Sequence, residues 1–173
     1  MSYMMLCIGV LILDIITKLW AELALKGAGS FAVIEGFFHF TYVENRGIAF
    51  GMFSNARIWF ILVSIVVLIA LVVLFCKSKN RTVWLKLGTS LVIGGAVGNL
   101  IERMSKGYVV DFLDFRFINF PVFNIADIAV CAGAVMIMLH FFAAERLLKR
   151  EETASGADVQ DVEEELPHDE NEG

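Results

Sequence analysis

The chain has 173 residues, 58% of them hydrophobic, and a mean hydropathy of +0.71. Soluble domains contain about 45–50% apolar residues, so the composition excludes an ordinary soluble domain and indicates an integral membrane protein with room for one compact domain. The net charge of −5 is unevenly distributed, because the last 23 residues hold ten of the 19 acidic residues and no Lys or Arg, which leaves residues 1–150 with a charge of +5.

Four apolar segments are long enough to be transmembrane helices, since about 20 residues cross the roughly 30 Å hydrocarbon core. We place them at residues 4–24, 58–76, 83–101 and 125–144. The first could be mistaken for a signal peptide, but it lacks a basic start and is interrupted by Asp14 and Lys18, so we expect a retained helix. The predicted fold is an all-α membrane protein with four transmembrane helices.

The segment between the first two spans, "FAVIEGFFHFTYVENRGIAFGMF", is rich in aromatic, β-branched and glycine residues. That mixture favours short strands and turns. We therefore expect a small β-rich region here, at the extracytoplasmic membrane surface.

Basic residues near the ends of the spans predict the orientation of the chain. The link between the second and third spans reads "KSKNRTVWLK", and Arg146, Lys149 and Arg150 follow the fourth span. Both places should be cytoplasmic, which puts both termini inside and the loops at residues 25–57 and 102–124 outside.

The last segment differs in composition from the rest of the chain. Residues 151–173 carry a charge of −10, and so acidic a segment buries too little apolar surface to fold. We predict two regions: a membrane domain at residues 1–150 and a disordered cytoplasmic tail at residues 151–173.

Two polar pairs interrupt the predicted spans, where an ionisable residue costs roughly 2.5–3.5 kcal/mol at the centre. Asp14 and Lys18 are four residues apart, hence on one helix face; an ion pair or a tether to a loop is the favoured interpretation, and direct chemistry is the alternative. Asn99 and Arg103 have the same spacing at the outer end of the third span. Arg103 either snorkels to the interface or anchors the next loop or a substrate carbonyl.

Three acids lie close to the start of the fourth span. Asn124 and Asp127 fit a helix cap, although Asp127 is followed at once by the apolar run "IAVCAGAVMIML". Asp111 and Asp114 lie in "GYVVDFLDF", and if this segment is a strand their side chains point to opposite faces.

Asp111 and Asp127 together indicate a chemistry that neither indicates alone. The sequence has no histidine cluster, no nucleophile-elbow serine and no cysteine paired with a nearby histidine. Two close carboxylates can share one proton, since like charges a few Å apart do not both ionise cheaply. One carboxylate then acts as a base on water and the other as an acid, which is the chemistry of an aspartic protease.

Four motifs in order, "DIITKLW", "VENRGIAFG", "GGAVGNLIERMSKGYVVDFLDF" and "FPVFNIADIAVCAG", resemble those of lipoprotein signal peptidase, the type II signal peptidase of bacteria. The resemblance covers residues 10–145. It implies an aspartic endopeptidase of the cytoplasmic membrane that removes signal peptides from diacylglyceryl-modified prolipoproteins, cleaving before the lipidated cysteine on the outer side. The implied partners are these substrates and membrane lipid; no metal, cofactor or nucleic acid is implied.

The same resemblance assigns roles to individual residues. It implies that Asp111 and Asp127 are the catalytic dyad. It also implies that six further residues bind substrate or support the active site: Asn45, Asn99, Arg103, Asn124, Asp14 and Lys18.

Two features depart from the family pattern. The third motif usually reads Gly-Asn-x-x-Asp-Arg, but here the acid is Glu102, whose longer side chain could shift the loop that it holds. The link from Asp111 to Asp127 is also short for the family. Neither feature removes a catalytic residue.

Two other classes of function stay open at this point. A small proton-coupled transporter would distribute acids across the membrane depth, whereas Asp111, Asp114, Asp127 and Glu102 gather at one side. A non-enzymatic assembly protein would tolerate isosteric changes at Asp111 and Asp127. A presenilin-like protease is disfavoured, because the sequence lacks Gly-x-Gly-Asp.

Overall fold

A computed structural model describes residues 2–47, 56–79, 81–118 and 120–164. Four long helices carry the fold: α1 (Ser2–Leu25), α2 (Ala56–Lys77), α3 (Val83–Ser105) and α4 (Ile125–Glu164). Each contains a stretch long and apolar enough to cross a membrane: Tyr3–Leu25, Arg57–Lys77, Val83–Ser105 and Ile125–Ala143. The four spans predicted from the sequence are therefore confirmed.

The third helix is the most buried of the four. It begins at the N-cap Thr82, whose hydroxyl accepts a hydrogen bond from the backbone N–H of Leu85 at 3.3 Å, and it packs against both α1 and α2. A side chain at Gly98 would collide with Asp14 of α1, and one at Gly95 would collide with the backbone of Ala126. These small residues let the neighbouring segments approach closely.

A three-stranded antiparallel sheet lies beyond the C-terminal end of α1. Its strands are β1 (Ser30–Ile34), β2 (Phe38–Asn45) and β3 (Val109–Phe115), in the order β1-β2-β3. The predicted β-rich region after the first span is thus confirmed, and β3 from the second loop completes it. Its pairing with β2 sets Asn45 opposite Val109 and Val43 opposite Asp111.

Apolar residues of α1 and β3 form a buried core under the sheet. Ala21 and Leu25 come from the last turns of α1, and Val110, Phe112 and Leu113 come from β3. Burying such side chains is worth about 25 cal/mol per Å² of apolar area. The core therefore fixes β3, which carries Asp111, against the end of α1.

The chain divides into two compact units, residues 1–137 and residues 138–173. The first holds α1 to α3, the sheet and the first turns of α4. In the second, helix continues to Glu164, and residues 165–173 lie outside the described residues. The boundary predicted at residue 150 falls within α4, and the separate acidic tail stays a prediction.

Candidate active site

Asp111 lies in the middle of β3 and is 1% exposed. Its Oδ2 accepts a hydrogen bond from the side-chain amide of Asn45 at 2.7 Å, and its Oδ1 accepts one from the side-chain amide of Asn124 at 2.6 Å. Asn45 is the last residue of β2, so the β2–β3 pairing brings it to Asp111. Both carboxylate oxygens are thus held by amide donors from different elements.

Asp127 lies in the first turn of α4 and forms a reciprocal cap with Asn124. The Asn124 backbone N–H donates to Asp127 Oδ2 at 3.1 Å, and the Asp127 backbone N–H donates to Asn124 Oδ1 at 3.0 Å. The Asp127 Oδ1 accepts a further bond from the Asn99 side-chain amide at 2.8 Å. The cap predicted from the sequence exists, but Asp127 also makes a contact outside its own helix.

Asn124 connects the two acids directly, because its side chain bonds Asp111 while its backbone N–H bonds Asp127. Burial raises the pKa of Asp111 to about 6, and the negative charge of Asp127 adds to this shift, while the amide bonds from Asn45 and Asn124 oppose it. Two carboxyl groups thus interact electrostatically at the start of a membrane-spanning helix, with one of them biased toward its protonated form.

Lys18 lies at the centre of a second cluster of buried polar side chains, beside the two acids. Its Nζ donates to Asp14 Oδ2 at 2.8 Å and to Asn99 Oδ1 at 2.7 Å, and it lies 3.3 Å from Glu102 Oε2. The side chains of Lys18 and Asp14 are 2% and 0% exposed. The predicted ion pair between Asp14 and Lys18 is therefore present, and it also fixes the orientation of Asn99.

Asp14 reaches beyond its own helix as well. Its Oδ1 accepts a hydrogen bond from the backbone N–H of Ala126 at 3.0 Å. Ala126 precedes Asp127, and its N–H is one of those at a helix start that lack an intrahelical partner. Asp14 therefore tethers the first turn of α4 to α1, which supports the structural interpretation of this residue.

Glu102 joins the end of α3 to the start of β3. Its Oε2 accepts a hydrogen bond from the backbone N–H of Val110 at 2.9 Å, next to Asp111. Its Oε1 accepts a bond from Lys106 at 3.1 Å, and Lys106 also donates to Glu22 at 2.7 Å. The acid that departs from the family pattern is therefore long enough to hold the strand that carries Asp111.

Asp114 belongs to a different cluster. Its Oδ2 accepts hydrogen bonds from Thr41 at 2.7 Å and from Arg116 at 2.9 Å. Burial works to raise the pKa of Asp114, but these two donors outweigh it and hold the pKa below its ordinary value. The segment is a strand, Asp111 and Asp114 have different partners on it, and Asp114 ties the sheet together.

Arg103 lies on the same side of α3 as the two acids. Its guanidinium interacts electrostatically with Asp127, Asp111 and Glu102, and it lies 5.2 Å from the centre of the Phe60 ring. Arg57, at the start of α2, donates to the Arg103 carbonyl at 2.9 Å. Arg57 is not among the site residues predicted from the sequence, although a basic residue next to an apolar span is a visible signal.

A cavity of about 590 Å³ opens beside Asp111. It is lined by residues of β2, the segment after it, α2 and the segment before α4, including Asn45, Arg46, Phe60 and Pro121. The cavity is large enough for a short stretch of extended peptide. Residues 48–51 of the "VENRGIAFG" motif lie outside the described residues.

The structure brings together all eight site residues predicted from the sequence. Asp111 and Asp127 are joined through Asn124, and Asn45, Asn99 and Arg103 approach one or both acids. Asp14 and Lys18 reach the acids indirectly, because Lys18 bonds Asn99 and Asp14 bonds the Ala126 backbone N–H. In the described part of the chain, no three His, Cys, Asp or Glu side chains are placed to hold a metal ion.

Comparison with known proteins gives consistent results. Residues 6–143 match the family model described as signal peptidase (SPase) II. The lipoprotein signal peptidase of Halothermothrix orenii is 42% identical over 138 residues, which cover 80% of this chain and 93% of that protein. The lipoprotein signal peptidase of Caldanaerobacter subterraneus subsp. tengcongensis is 46% identical over 129 residues, covering 74% and 87%.

The fold is also similar to that of a solved structure. A bacterial membrane enzyme, studied by the in meso method, superposes with a TM-score of 0.75 at 34% sequence identity, covering 81% of this chain and 92% of the other. The similarity therefore covers about four-fifths of this chain.

Proposed function

The chain belongs to the signal peptidase II family, and we propose that Asp111 and Asp127 are the aspartic pair with which it removes signal peptides from prolipoproteins. The observation that carries this assignment is the position of Asn124, whose side-chain amide bonds Asp111 while its backbone N–H bonds Asp127. A simple helix cap requires only the second of these contacts.

The two acids divide the proton transfers between them. Burial favours the neutral carboxyl at Asp111, so we assign the shared proton to it. Asp127 takes a proton from a water molecule, whose oxygen attacks the scissile carbonyl carbon, and Asp111 gives its proton to the carbonyl oxygen. As the C–N bond breaks, Asp127 protonates the leaving nitrogen and one hydroxyl of the intermediate returns its proton to Asp111.

The neighbouring amides and Arg103 orient and stabilise this pair. Asn45 and Asn99 each hold one acid by a single hydrogen bond, which keeps the carboxyl groups in one geometry and lowers the cost of reorganisation. Arg103 lies within electrostatic reach of both acids. We assign it to the substrate carbonyl, where a cation stabilises developing negative charge.

The substrate fits the position of the site relative to the spans. Asp127 lies at the start of the membrane-spanning part of α4, and the cavity beside Asp111 is lined by Pro121 and Val122, which shortly precede this helix. A signal helix in the bilayer and the acyl chains of a diacylglyceryl-modified cysteine would bring the bond before that cysteine to this depth. We place the site on the extracytoplasmic side and both termini in the cytoplasm, since the basic residues favour this orientation.

The direct test is cleavage of a diacylated prolipoprotein by the purified protein, followed by gel shift. Asp111→Asn and Asp127→Asn should each lower the rate by about 10²–10⁴-fold, because an amide of similar shape does not transfer the proton. The matched control is Asp114→Asn, on the same strand, which should retain most of the activity. The double variant should be little worse than either single variant, since the acids act as one unit.

The protein must be folded and inserted in every case, as shown by its elution and helical circular dichroism. Substantial cleavage by either single variant, with the fold intact, would remove that acid from the catalytic pair. Asp127 would then have only its role in capping α4.

A further inference from the structure

A second cavity, of about 270 Å³, lies among α1, α2 and α3 at the helix ends remote from Asp111. Its lining includes Tyr3 near the start of α1, Phe75 near the end of α2 and Lys86 near the start of α3. Lys86 precedes Asn99 by 13 residues, which is about 20 Å along a helix. This cavity is therefore separate from the active site.

The cavity contains a buried hydroxyl without a partner. Thr89 lines it and is 5% exposed, and its Oγ1 forms no hydrogen bond within the described part of the chain. The neighbouring Ser90 is different, because its hydroxyl donates to the Lys86 carbonyl at 2.8 Å. A buried hydroxyl without a partner is unfavourable, so an acceptor atom from a ligand would stabilise this one.

A positive charge lies at the rim of the same cavity. Lys86 comes one turn before Thr89, about 4.5 Å along the axis of α3, and its Nζ lies 5.5 Å from the centre of the Tyr3 ring. None of the ion pairs between described residues includes Lys86. Lys77, Lys79 and Arg81 add further positive charge in the link that precedes α3.

The rest of the lining is apolar and comes from all three helices, with Met4 and Cys7 on α1, Val72 on α2 and Ile93 on α3. From rim to interior, the cavity presents a cation, an unbonded hydroxyl one turn deeper, and apolar side chains. This order matches the order of groups in a phospholipid, which are the phosphate, the glycerol ester and the acyl chain. Basic pockets between membrane helices are known to bind anionic headgroups. A free phosphate ion would leave the apolar part empty.

We propose that this cavity binds one anionic phospholipid from the membrane leaflet that adjoins it. Its phosphate pairs with Lys86, an ester oxygen accepts the hydrogen bond from Thr89, and the start of one acyl chain packs between α1 and α2. Both helices pack on α3, so a lipid between them stabilises the helix arrangement at the end remote from the active site.

Native mass spectrometry of the detergent-solubilised full chain tests this proposal. Wild-type protein titrated with dioleoyl phosphatidylglycerol should bind one molecule at least about fivefold more tightly than dioleoyl phosphatidylcholine, since one Lys near the membrane surface contributes about 1 kcal/mol toward an anionic lipid. Lys86→Gln should abolish this preference. Thr89→Val, which removes only the hydroxyl, should weaken the binding of both lipids by about two- to tenfold.

Lys79→Gln is the matched control, because it removes the same charge from an exposed residue of the link that does not line the cavity. It should keep the wild-type preference, and circular dichroism should show that all three variants retain their helices. An unchanged preference in Lys86→Gln, or equal losses in Lys86→Gln and Lys79→Gln, would overturn the proposal. Displacement of the lipid by glycerol 3-phosphate would also overturn it in favour of a soluble phosphate ligand.

Discussion

Asn124 joins three elements that follow one another in the second half of the chain, α3, β3 and α4. Its side-chain amide donates to Asp111 on β3 and lies 3.3 Å from the Asn99 side chain on α3. Its backbone N–H donates to Asp127 and its side-chain oxygen accepts from the Asp127 N–H, which caps α4. An asparagine suits this position because it combines two amide donors with one acceptor. A serine could cap the helix but could not also hold Asp111 in this way.

The titration of Asp111 predicts how cleavage depends on pH. Because burial raises its pKa to about 6 from an ordinary 3.8, the fraction of enzyme with the shared proton falls as the pH rises through about 6. The kcat/KM for a diacylated substrate should therefore decline across this range, with an apparent pKa that belongs to the pair. A rate that stays constant from pH 5 to pH 8 would contradict the assignment of the proton to Asp111.

The same shift predicts a change in stability. The native state holds the Asp111 proton more tightly than the unfolded state. This tighter binding adds to the free energy of unfolding; the addition is fully present below about pH 3.8 and is lost as the pH rises through about 6. Thermal unfolding in detergent, followed by circular dichroism at a series of pH values, measures it. Asp111→Asn should reduce the fall in Tm over this window, whereas Asp114→Asn should leave that fall in place.

At the scale of elements, the connection from α3 to β3 controls the position of Asp111. Gly107 adopts a φ of 83° in this turn, in the left-handed region that favours glycine. Glu102, from the last turns of α3, then holds the first residues of β3 through the Val110 backbone N–H. Lys18 and Lys106 lie on either side of the Glu102 carboxylate, so the connection is held by charged hydrogen bonds as well as by the sheet.

Substitution of Glu102 tests this connection. Glu102→Asp should keep much of the activity, because the usual acid of the family returns and the charge beside Lys18 remains. Glu102→Ala should lower the activity by about tenfold or more and also lower the Tm, since it leaves the buried Lys18 with one carboxylate fewer and the Val110 N–H without its acceptor. Cleavage rate and thermal unfolding should be measured together. Equal values for the two variants would mean that the Glu102 carboxylate does not stabilise the connection from α3 to β3.

At the scale of the whole molecule, the orientation of the four spans determines which side of the membrane holds the active site. The sheet and the two acids lie toward the ends of α1 and α3 that are remote from the basic link between α2 and α3. If that link is cytoplasmic, as the positive-inside rule predicts, the site faces the outer side.

Reporter fusions test this orientation. Fusions at Asn80 and after Arg150 should report the cytoplasm, and a fusion near Asn55 should report the outer side. Alkaline phosphatase and a fluorescent protein, which are active on opposite sides, serve as controls for each other. The reverse pattern would remove the argument for an outward-facing site, whatever the activity of the purified protein.

Removal of the acidic tail tests the proposed division at residue 150. Truncation after Arg150 should leave cleavage by the purified protein within about twofold of wild type, because all eight predicted site residues precede the cut and an acidic segment adds little apolar burial. Truncation before the basic cluster, after residue 143, is the comparison and should impair insertion. A large loss of activity after the first truncation would show that the tail belongs to the functional unit.

The sequence by itself determined the features that depend on residues close together in the chain. The four spans follow from length and hydropathy, the Asn124–Asp127 cap from a three-residue spacing, and the Asp14–Lys18 pair from a four-residue spacing on one helix. The motifs also predicted eight site residues by resemblance. These signals are local, so no knowledge of packing was needed to find them.

Only the tertiary structure decided how these pieces meet. Asn45 reaches Asp111 because β2 pairs with β3 in one register, although the two residues are 66 positions apart. Lys18 reaches Asn99 across 81 positions because glycines let α1 and α3 approach closely. A side chain's partners across the fold depend on strand register and helix packing, which are set by many contacts at once and which no short stretch of sequence contains.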